Sequence, residues 1–124
     1  PGSSEYFLGS VTSYANGVKE NVLGVPAEII AEHGAVSSEC VAAMAEGVRR
    51  ITSSDYSVAT SGIAGPGGGS EEKPVGTVWI GVSSDNGTET FRLKFNSDRK
   101  RNIERFSSSA LHILLNKIKK ELNN

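Results

Sequence analysis

The sequence has few cysteines and histidines, the residues that thiol chemistry and many metal sites need. Its 124 residues include one cysteine and two histidines. A single cysteine excludes an internal disulfide and indicates a reducing compartment. That residue, Cys40, stands in an alanine-rich helical segment, which favours a buried small apolar side chain over a nucleophile. His33 and His112 have no carboxylate partner evident from spacing, and no His, Cys and acid cluster has metal-ligand spacing, so we expect no metal and no cofactor.

Neither a strong net charge nor a long apolar run is present. With 13 Lys and Arg against 14 Asp and Glu, the formal net charge is −1. This balance gives no general basic field, so we expect no nucleic-acid partner. No stretch approaches the roughly 18 to 20 apolar residues that cross a bilayer, and no signal peptide is evident. We therefore expect a cytoplasmic protein without a membrane partner, folded as one domain around a single core.

The first half of the chain predicts one strand and three helices. The β-forming residues of 5–15 predict a strand, and an Asn-Gly turn follows. Two short helices are predicted over 18–23 and 26–33, the second ended by a glycine that suits the C′ position. Ser37 or Ser38 then caps an amphipathic helix of about 15 residues, in which apolar side chains recur at helical spacing.

The second half predicts three strands and a long helix. Strands are expected over 56–61, 77–83 and 88–95, with an Asn-Gly hairpin turn between the last two. A terminal helix capped by Ser97 or Asp98 follows. The order β-α-α-α-β-β-β-α indicates a single α/β domain, a three-layer sandwich with a partly antiparallel mixed sheet. The exposed edge strands of so small a sheet lead us to expect a homo-oligomer.

The most informative stretch is a glycine-rich segment between two β-forming runs. Five of the eight residues over 62–69 are glycine, and Lys-Pro-Val-Gly follows at 73–76. Such density is typical of a backbone that turns with positive φ or approaches a ligand, and its N–H groups can converge on an anion. A flexible surface hairpin would have the same composition. Pro74 and the strand after it exclude the Walker and dinucleotide-binding motifs, because both need a helix directly after the glycines.

Several segments together resemble the C-terminal domain family of the CinA (competence/damage-inducible) proteins. They are residues 1–4, 11–19, 23–26, 33–37, 44–47, 62–70, 73–78 and 98–99. The resemblance covers nearly the whole chain. It implies an amidohydrolase of pyridine nucleotide salvage, which converts nicotinamide mononucleotide (NMN) to nicotinate mononucleotide and ammonia. Family members carry a Glu-Ser-Cys-Thr-Gly-Gly segment before the Pro-Gly-Ser-Ser turn, where this sequence begins, so we expect the domain to lack its N-terminal helix.

Amide hydrolysis needs a nucleophile, a base that activates it and donors for the oxyanion. With cysteine and metal chemistry disfavoured, a serine activated by a lysine remains. Such a lysine requires burial or nearby positive charge to lower its pKa from about 10.4. Taken alone, Lys19 has the character of a solvated helix lysine.

The resemblance implies three catalytic residues. Lys19 would be the base, because it falls in the family's Tyr-x-Asn-x-x-Lys pattern. Ser4 would be the nucleophile near it, although the serine of the upstream segment competes for that role. Tyr14 would relay a proton or hydrogen-bond the carboxamide; without the resemblance it is an ordinary strand tyrosine.

The substrate-binding residues are expected around the glycine segment. Backbone N–H groups there would bind the phosphate or the developing oxyanion, with hydroxyl donors just before them. These residues are Thr60, Ser61, Gly62, Gly65, Gly67 and Gly68. Asn16 would orient the substrate amide or simply form its turn. Arg99 would contact the 5′-phosphate, or else pair with Asp98 or Glu39.

Two other classes of function compete with the enzyme. A non-catalytic nucleotide-binding or regulatory module would keep the phosphate loop without a complete catalytic apparatus. A nucleic-acid-binding competence factor is suggested only by the family's name, and the near-neutral charge weighs against it.

Overall fold

A three-stranded sheet separates two helices in the computed structural model, which describes residues 1–123. In chain order the elements are a 3₁₀ turn (Ser3–Glu5), α1 (Asn16–Asn21), α2 (Ala27–His33), α3 (Ser38–Thr52), β1 (Tyr56–Gly62), β2 (Thr77–Ser84), β3 (Gly87–Lys94) and α4 (Arg99–Leu122). The strand order is β1-β2-β3, and both pairs are antiparallel. The predicted α/β class and single small domain are confirmed.

The sheet has an apolar core on each face, because alternate residues of a strand point to opposite sides. On one face, Val78 and Ile80 of β2 pack with Phe106 of α4. On the other face, Ala59 of β1 packs with Val41 and other residues of α3. The two clusters make the domain a sandwich of helix, sheet and helix, with α3 and α4 as the outer layers.

Both long helices begin at the capping residues that the sequence offers. Ser37 Oγ accepts a hydrogen bond from the Cys40 N–H at 3.2 Å, and Asp98 Oδ1 accepts one from the Arg101 N–H at 2.9 Å. Each cap satisfies a backbone donor that the first helical turn leaves without a partner. Among residues 1–123, no helix combines the length and the apolar character that crossing a bilayer requires.

The strand predicted within residues 5–15 is wrong. Residues 7–14 have no regular secondary structure, and Tyr6, Phe7 and Leu8 are largely exposed. β-Forming side chains define a strand only where a neighbour supplies the ladder hydrogen bonds, and β1 pairs only with β2 in the part of the chain that the structure describes. The sheet of residues 1–123 therefore consists of antiparallel pairs alone.

A partly buried ion-pair cluster fixes the end of α4 to the sheet. Lys117 Nζ lies 3.0 Å from Glu89 Oε1 and 3.0 Å from Glu121 Oε2, and the lysine side chain is only 7% exposed. Glu121 also accepts hydrogen bonds from Ser84 Oγ at 2.9 Å and from Asn86 Nδ2 at 3.0 Å. The last turns of α4 are thus held to the β2–β3 hairpin.

The pKa values of Lys117 and Glu121 are both shifted in the direction that favours the charged form. Burial alone would lower the pKa of Lys117, but hydrogen bonds to Glu89 and Glu121 outweigh it and raise that pKa above its ordinary 10.5. Burial alone would raise the pKa of Glu121, but its hydrogen bonds, that from Lys117 first, lower it below 4.5. The lysine contribution is therefore present below pH 10.5 and lost as pH rises through the raised pKa. The glutamate contribution is present above pH 4.5 and lost as pH falls through the lowered pKa.

We expect Lys117→Met to lower the free energy of unfolding by about 1 kcal/mol at neutral pH. The loss is smaller than for a fully buried pair, because Glu89 is 54% exposed and solvent screens it. Urea denaturation at several pH values measures the effect, with the exposed Lys119→Met as the control. The difference from wild type should narrow as pH falls below 4.5 through the lowered pKa of Glu121, and as pH rises above 10.5 through the raised pKa of Lys117. A constant difference across that range would contradict the assignment.

Candidate functional site

A cavity of about 470 Å³ opens where the end of β1 continues into the glycine-rich loop. Its walls come from the segment before α1, the end of β1, the loop and the first turns of α4. The lining residues are Tyr14, Thr60, Gly62, Ile63, Ala64, Gly65, Gly67, Gly68, Arg99, Ile103, Phe106 and Ser107. The structure thus brings together most of the residues that the sequence singled out for substrate binding.

A larger hollow, of about 680 Å³, lies at the opposite end of the sheet, between the end of α3 and the β2–β3 turn. Its two arginines already have partners. Arg49 Nη1 lies 2.7 Å from Asp85 Oδ1, and Arg50 Nη2 donates to the Leu23 carbonyl at 3.2 Å. None of the residues expected in a site lines this hollow, so the glycine-loop cavity is the better candidate despite its smaller volume.

The glycine-rich loop is anchored at its base and on α4. The Ile63 N–H donates to the Thr77 carbonyl at 2.8 Å, and the Gly76 N–H donates to the Ile63 carbonyl at 2.7 Å. From α4, Asn102 Nδ2 donates to the Ala64 carbonyl at 2.9 Å. These hydrogen bonds fix the base of the loop and Ala64 in place, which argues against the flexible hairpin that the composition also allowed.

Arg99 binds the loop rather than a carboxylate. Its Nη1 donates to the Gly65 carbonyl at 3.0 Å. The two alternative partners are engaged elsewhere: Asp98 caps α4 and contacts Arg101, while Glu39 Oε2 lies 3.7 Å from His33 Nδ1. A guanidinium has five N–H donors, so Arg99 keeps donors for an anion in the cavity that it lines.

Lys19 is buried, not solvated. The residue is only 6% exposed, and its Nζ donates to the Ser13 carbonyl at 2.7 Å and to the Tyr14 carbonyl at 3.3 Å. These bonds hold the irregular segment before α1 in place. The Tyr14 side chain is 92% exposed and lines the cavity. Lys19 therefore supports the segment that presents Tyr14 to the site.

Four expected site residues lie outside the lining of the cavity: Lys19, Ser4, Asn16 and Ser61. Ser4 belongs to the exposed 3₁₀ turn, and Asn16 is the exposed first residue of α1. Ser61 lies on the α3 face of β1, because it is four residues from Ser57 and residues an even number apart in a strand share a face. Ser57 Oγ donates to the Ala45 carbonyl of α3 at 2.6 Å. Among residues 1–123, no hydrogen bond joins Ser4 to Lys19.

Sequence reasoning missed the contribution of α4 beyond Arg99. Ile103, Phe106 and Ser107 line the cavity, and Asn102 holds the loop beside it. Positions 99, 103, 106 and 107 share one helix face. Extending the helical period from Arg99 would have pointed to this face.

The thiol and the histidines add little to the chemistry of the site. Cys40 is fully buried, and burial raises the pKa of its thiol, so the side chain stays protonated within the α3 core. His33 has carboxylate neighbours that spacing did not reveal, with Glu32 and Glu39 oxygens each at 3.7 Å. Within residues 1–123, no three His, Cys, Asp or Glu side chains form a group that suits a metal ion.

Comparison with protein families and with curated proteins gives a consistent result. A family model described as the CinA C-terminal domain matches residues 1–118. A CinA-like protein of Pseudothermotoga lettingae is 48% identical over 115 residues, which are 93% of this chain and 28% of that protein. A CinA-like protein of Parasynechococcus marenigrum is 54% identical over 101 residues, 82% of this chain and 24% of that protein. The chain therefore spans only about a quarter of the length of these relatives.

Solved structures match the fold as well. A CinA superfamily protein from Klebsiella pneumoniae superposes with a TM-score of 0.82 at 35% identity, over 87% of this chain and 68% of that one. A CinA superfamily protein from Enterobacter cloacae gives a TM-score of 0.79 at 36% identity, over 84% of this chain and 62% of that one. The three-layer arrangement is thus shared with experimentally determined structures.

Proposed function

Because the chain belongs to the CinA C-terminal domain family, as its sequence pattern predicted, we propose that it hydrolyses the carboxamide of NMN to nicotinate mononucleotide and ammonia. The observation that carries the proposal is the cavity between the anchored glycine loop and α4, lined by Arg99 and Tyr14. It offers a cation and backbone N–H groups to a phosphorylated ligand, together with apolar walls for a flat ring.

The proposed chemistry is a serine–lysine mechanism without metal or cofactor. The Lys19 amine accepts the proton of the attacking serine hydroxyl, whose oxygen bonds to the carboxamide carbon. Loop N–H groups stabilise the resulting oxyanion. Lys19 then returns the proton to the leaving nitrogen as ammonia departs. Water, deprotonated by Lys19, attacks the ester carbon, and the bond from that carbon to the serine oxygen breaks. Lys19 returns the proton to the serine oxygen as nicotinate mononucleotide leaves.

The nucleophile has two candidates. Ser4 lies in the same chain region as Lys19, but its 3₁₀ turn is exposed and outside the cavity lining. Its use would require that turn to move toward the Lys19 amine. The serine of the family's upstream Glu-Ser-Cys-Thr-Gly-Gly segment is the competitor. The two proposals differ in whether residues 1–124 suffice for turnover.

Chromatography of NMN incubated with the protein tests the proposal by quantifying nicotinate mononucleotide and ammonia. Equal amounts of both products from this chain alone would support the deamidase with Ser4 as nucleophile. Products that appear only when the upstream segment is joined to the chain would support the deamidase with the upstream serine. If the extended chain is also inert, the enzyme proposal fails.

A non-catalytic nucleotide-binding module is the second candidate. The positions of Ser4 and Lys19 favour it, because neither residue is in the cavity lining. Among the described residues, the one serine in the lining is Ser107, which donates to the Ile103 carbonyl at 3.0 Å. Calorimetric titration of the extended chain with NMN separates the two functions. Binding without turnover would favour the module, whereas binding with turnover would favour the enzyme.

Arg99→Ala is expected to raise KM for NMN by about 10-fold to 100-fold, with a smaller effect on kcat. The reason is the loss of a charge-assisted hydrogen bond to the phosphate, which is made in the ground state and the transition state alike. Steady-state kinetics measure the change, and the exposed neighbour Lys100→Ala is the control. An unchanged KM in Arg99→Ala would contradict the proposal that Arg99 binds the phosphate. Its contact with the Gly65 carbonyl would then be its only role in the site.

A further inference from the structure

Asn102 is a completely buried amide in the first turn of α4. Its Nδ2 donates to the Ala64 carbonyl at 2.9 Å and to the Ser97 carbonyl at 3.0 Å, while its Oδ1 accepts from the Ser97 N–H at 3.3 Å. Both donors and the oxygen of the amide are therefore used, which leaves the side chain one orientation. Asn102 ties the glycine loop to the connection that precedes α4.

The hydrogen bond to Ala64 also determines the direction of a backbone donor. The Ala64–Gly65 peptide bond is trans, so its N–H points opposite to its carbonyl. Holding the Ala64 carbonyl on Asn102 therefore aims the Gly65 N–H away from Asn102. Gly65 is buried and lines the cavity. Within residues 1–123, that N–H donates no hydrogen bond.

The second contact between α4 and the loop has no such effect. Arg99 donates to the Gly65 carbonyl, but the residue that follows is Pro66, which has no N–H. That contact holds the loop without directing a donor. Of the two α4 side chains on the loop, Asn102 alone determines where a backbone N–H points.

We propose that Asn102 is a positioning residue for NMN hydrolysis, because it aims the Gly65 N–H at an anionic oxygen of the reacting molecule. The inference rests on the proposed function. Two oxygens have the required chemistry, that of the 5′-phosphate and that of the tetrahedral intermediate. A donor to the phosphate acts on KM, whereas a donor to the intermediate acts on kcat. A change in KM therefore indicates the phosphate oxygen, and a change in kcat indicates the oxygen of the intermediate.

Asn102→Ala, which removes both donors of the amide, tests the proposal. We expect kcat/KM for NMN to fall about 100-fold, as when one designated anion donor is lost. Lys117→Met changes a buried residue at the other end of the same helix and is the control, expected within about threefold of wild type. Crystal structures of the variants should show the Ala64–Gly65 peptide bond rotated, with its N–H turned from the cavity, in Asn102→Ala only. Asn102→Ser keeps one hydroxyl donor and serves where the alanine variant does not fold.

Three results would overturn the proposal. They are an unchanged kcat/KM in folded Asn102→Ala, a loss in Lys117→Met as large as that in Asn102→Ala, and an unrotated Ala64–Gly65 peptide bond in a folded Asn102→Ala protein. An inert wild-type protein, with or without the upstream segment, would instead remove the proposed function. In that case the crystal structures still decide whether Asn102 orients the loop. A rotated Ala64–Gly65 peptide bond in Asn102→Ala would support the orienting role, and an unrotated one would contradict it.

Discussion

Replacing Lys19 by alanine is expected to reduce kcat for NMN hydrolysis by about 1000-fold in whichever form of the chain is active. The lysine is the proposed general base, and its removal leaves the serine hydroxyl without a proton acceptor. Alanine also removes the hydrogen bonds to the Ser13 and Tyr14 carbonyls. A loss of turnover in Lys19→Ala therefore has two possible causes, which a second variant separates.

Lys19→Arg is that second variant. A guanidinium keeps the positive charge and the donors to both carbonyls, but it does not lose a proton at accessible pH. We expect Lys19→Arg to be as inactive as Lys19→Ala, with a thermal midpoint closer to wild type. Activity is followed by release of ammonia, and the exposed Lys100→Ala is the control for removal of a lysine. A Lys19→Arg protein with near wild-type turnover would show that Lys19 only anchors the segment before α1.

Gly76→Ala is expected to lower the free energy of unfolding by about 3 kcal/mol or more. Gly76 has φ +94, a backbone conformation that costs an alanine about 1 to 3 kcal/mol. A Cβ there would also overlap the carbonyl oxygen of Phe95, which is backbone and has little room to move. In addition, the Gly76 carbonyl accepts from the Phe95 N–H at 2.9 Å. The substitution strains the point at which the glycine loop returns to the sheet.

Gly67→Ala is the matched control for that substitution. Nothing lies within 4 Å of a Cβ at Gly67, and its φ is not in the left-handed region. We expect its stability to stay within about 0.5 kcal/mol of wild type. Urea denaturation of the two variants measures the contrast directly. Equal stabilities would mean that the backbone around Gly76 adjusts at no cost, and this would contradict the close packing described for that turn.

Local patterns were sufficient to predict most of the secondary structure. Ser37 and Asp98 cap their helices as expected, and the β2–β3 hairpin turns at Asp85 and Asn86, with Gly87 as the first residue of β3. Each of these features depends on residues within one turn of each other. The strand expected within residues 5–15 depended on a partner elsewhere in the chain, and the propensity of its side chains was therefore not enough.

The candidate site was predictable only in part. The glycine loop and Arg99 stood out because their residue types are unusual in those places. Asn102 did not, because an asparagine near a helix start is unremarkable until its environment is known. Its partner Ala64 lies 38 residues away, and that of Arg99, Gly65, lies 34 residues away. Only the packing of α4 against the loop makes these pairs neighbours.

The sequence by itself determined the α/β class, the helix starts, the place of the glycine loop and the family, because these depend on residue type and on short spacings. The tertiary structure alone decided that Lys19 is buried on two carbonyls, that Ser61 lies on the α3 face and that one face of α4 lines the cavity. The physical reason is that burial and hydrogen-bond partners belong to the packed molecule. They arise where helices close on a sheet and bring distant segments within reach of one another.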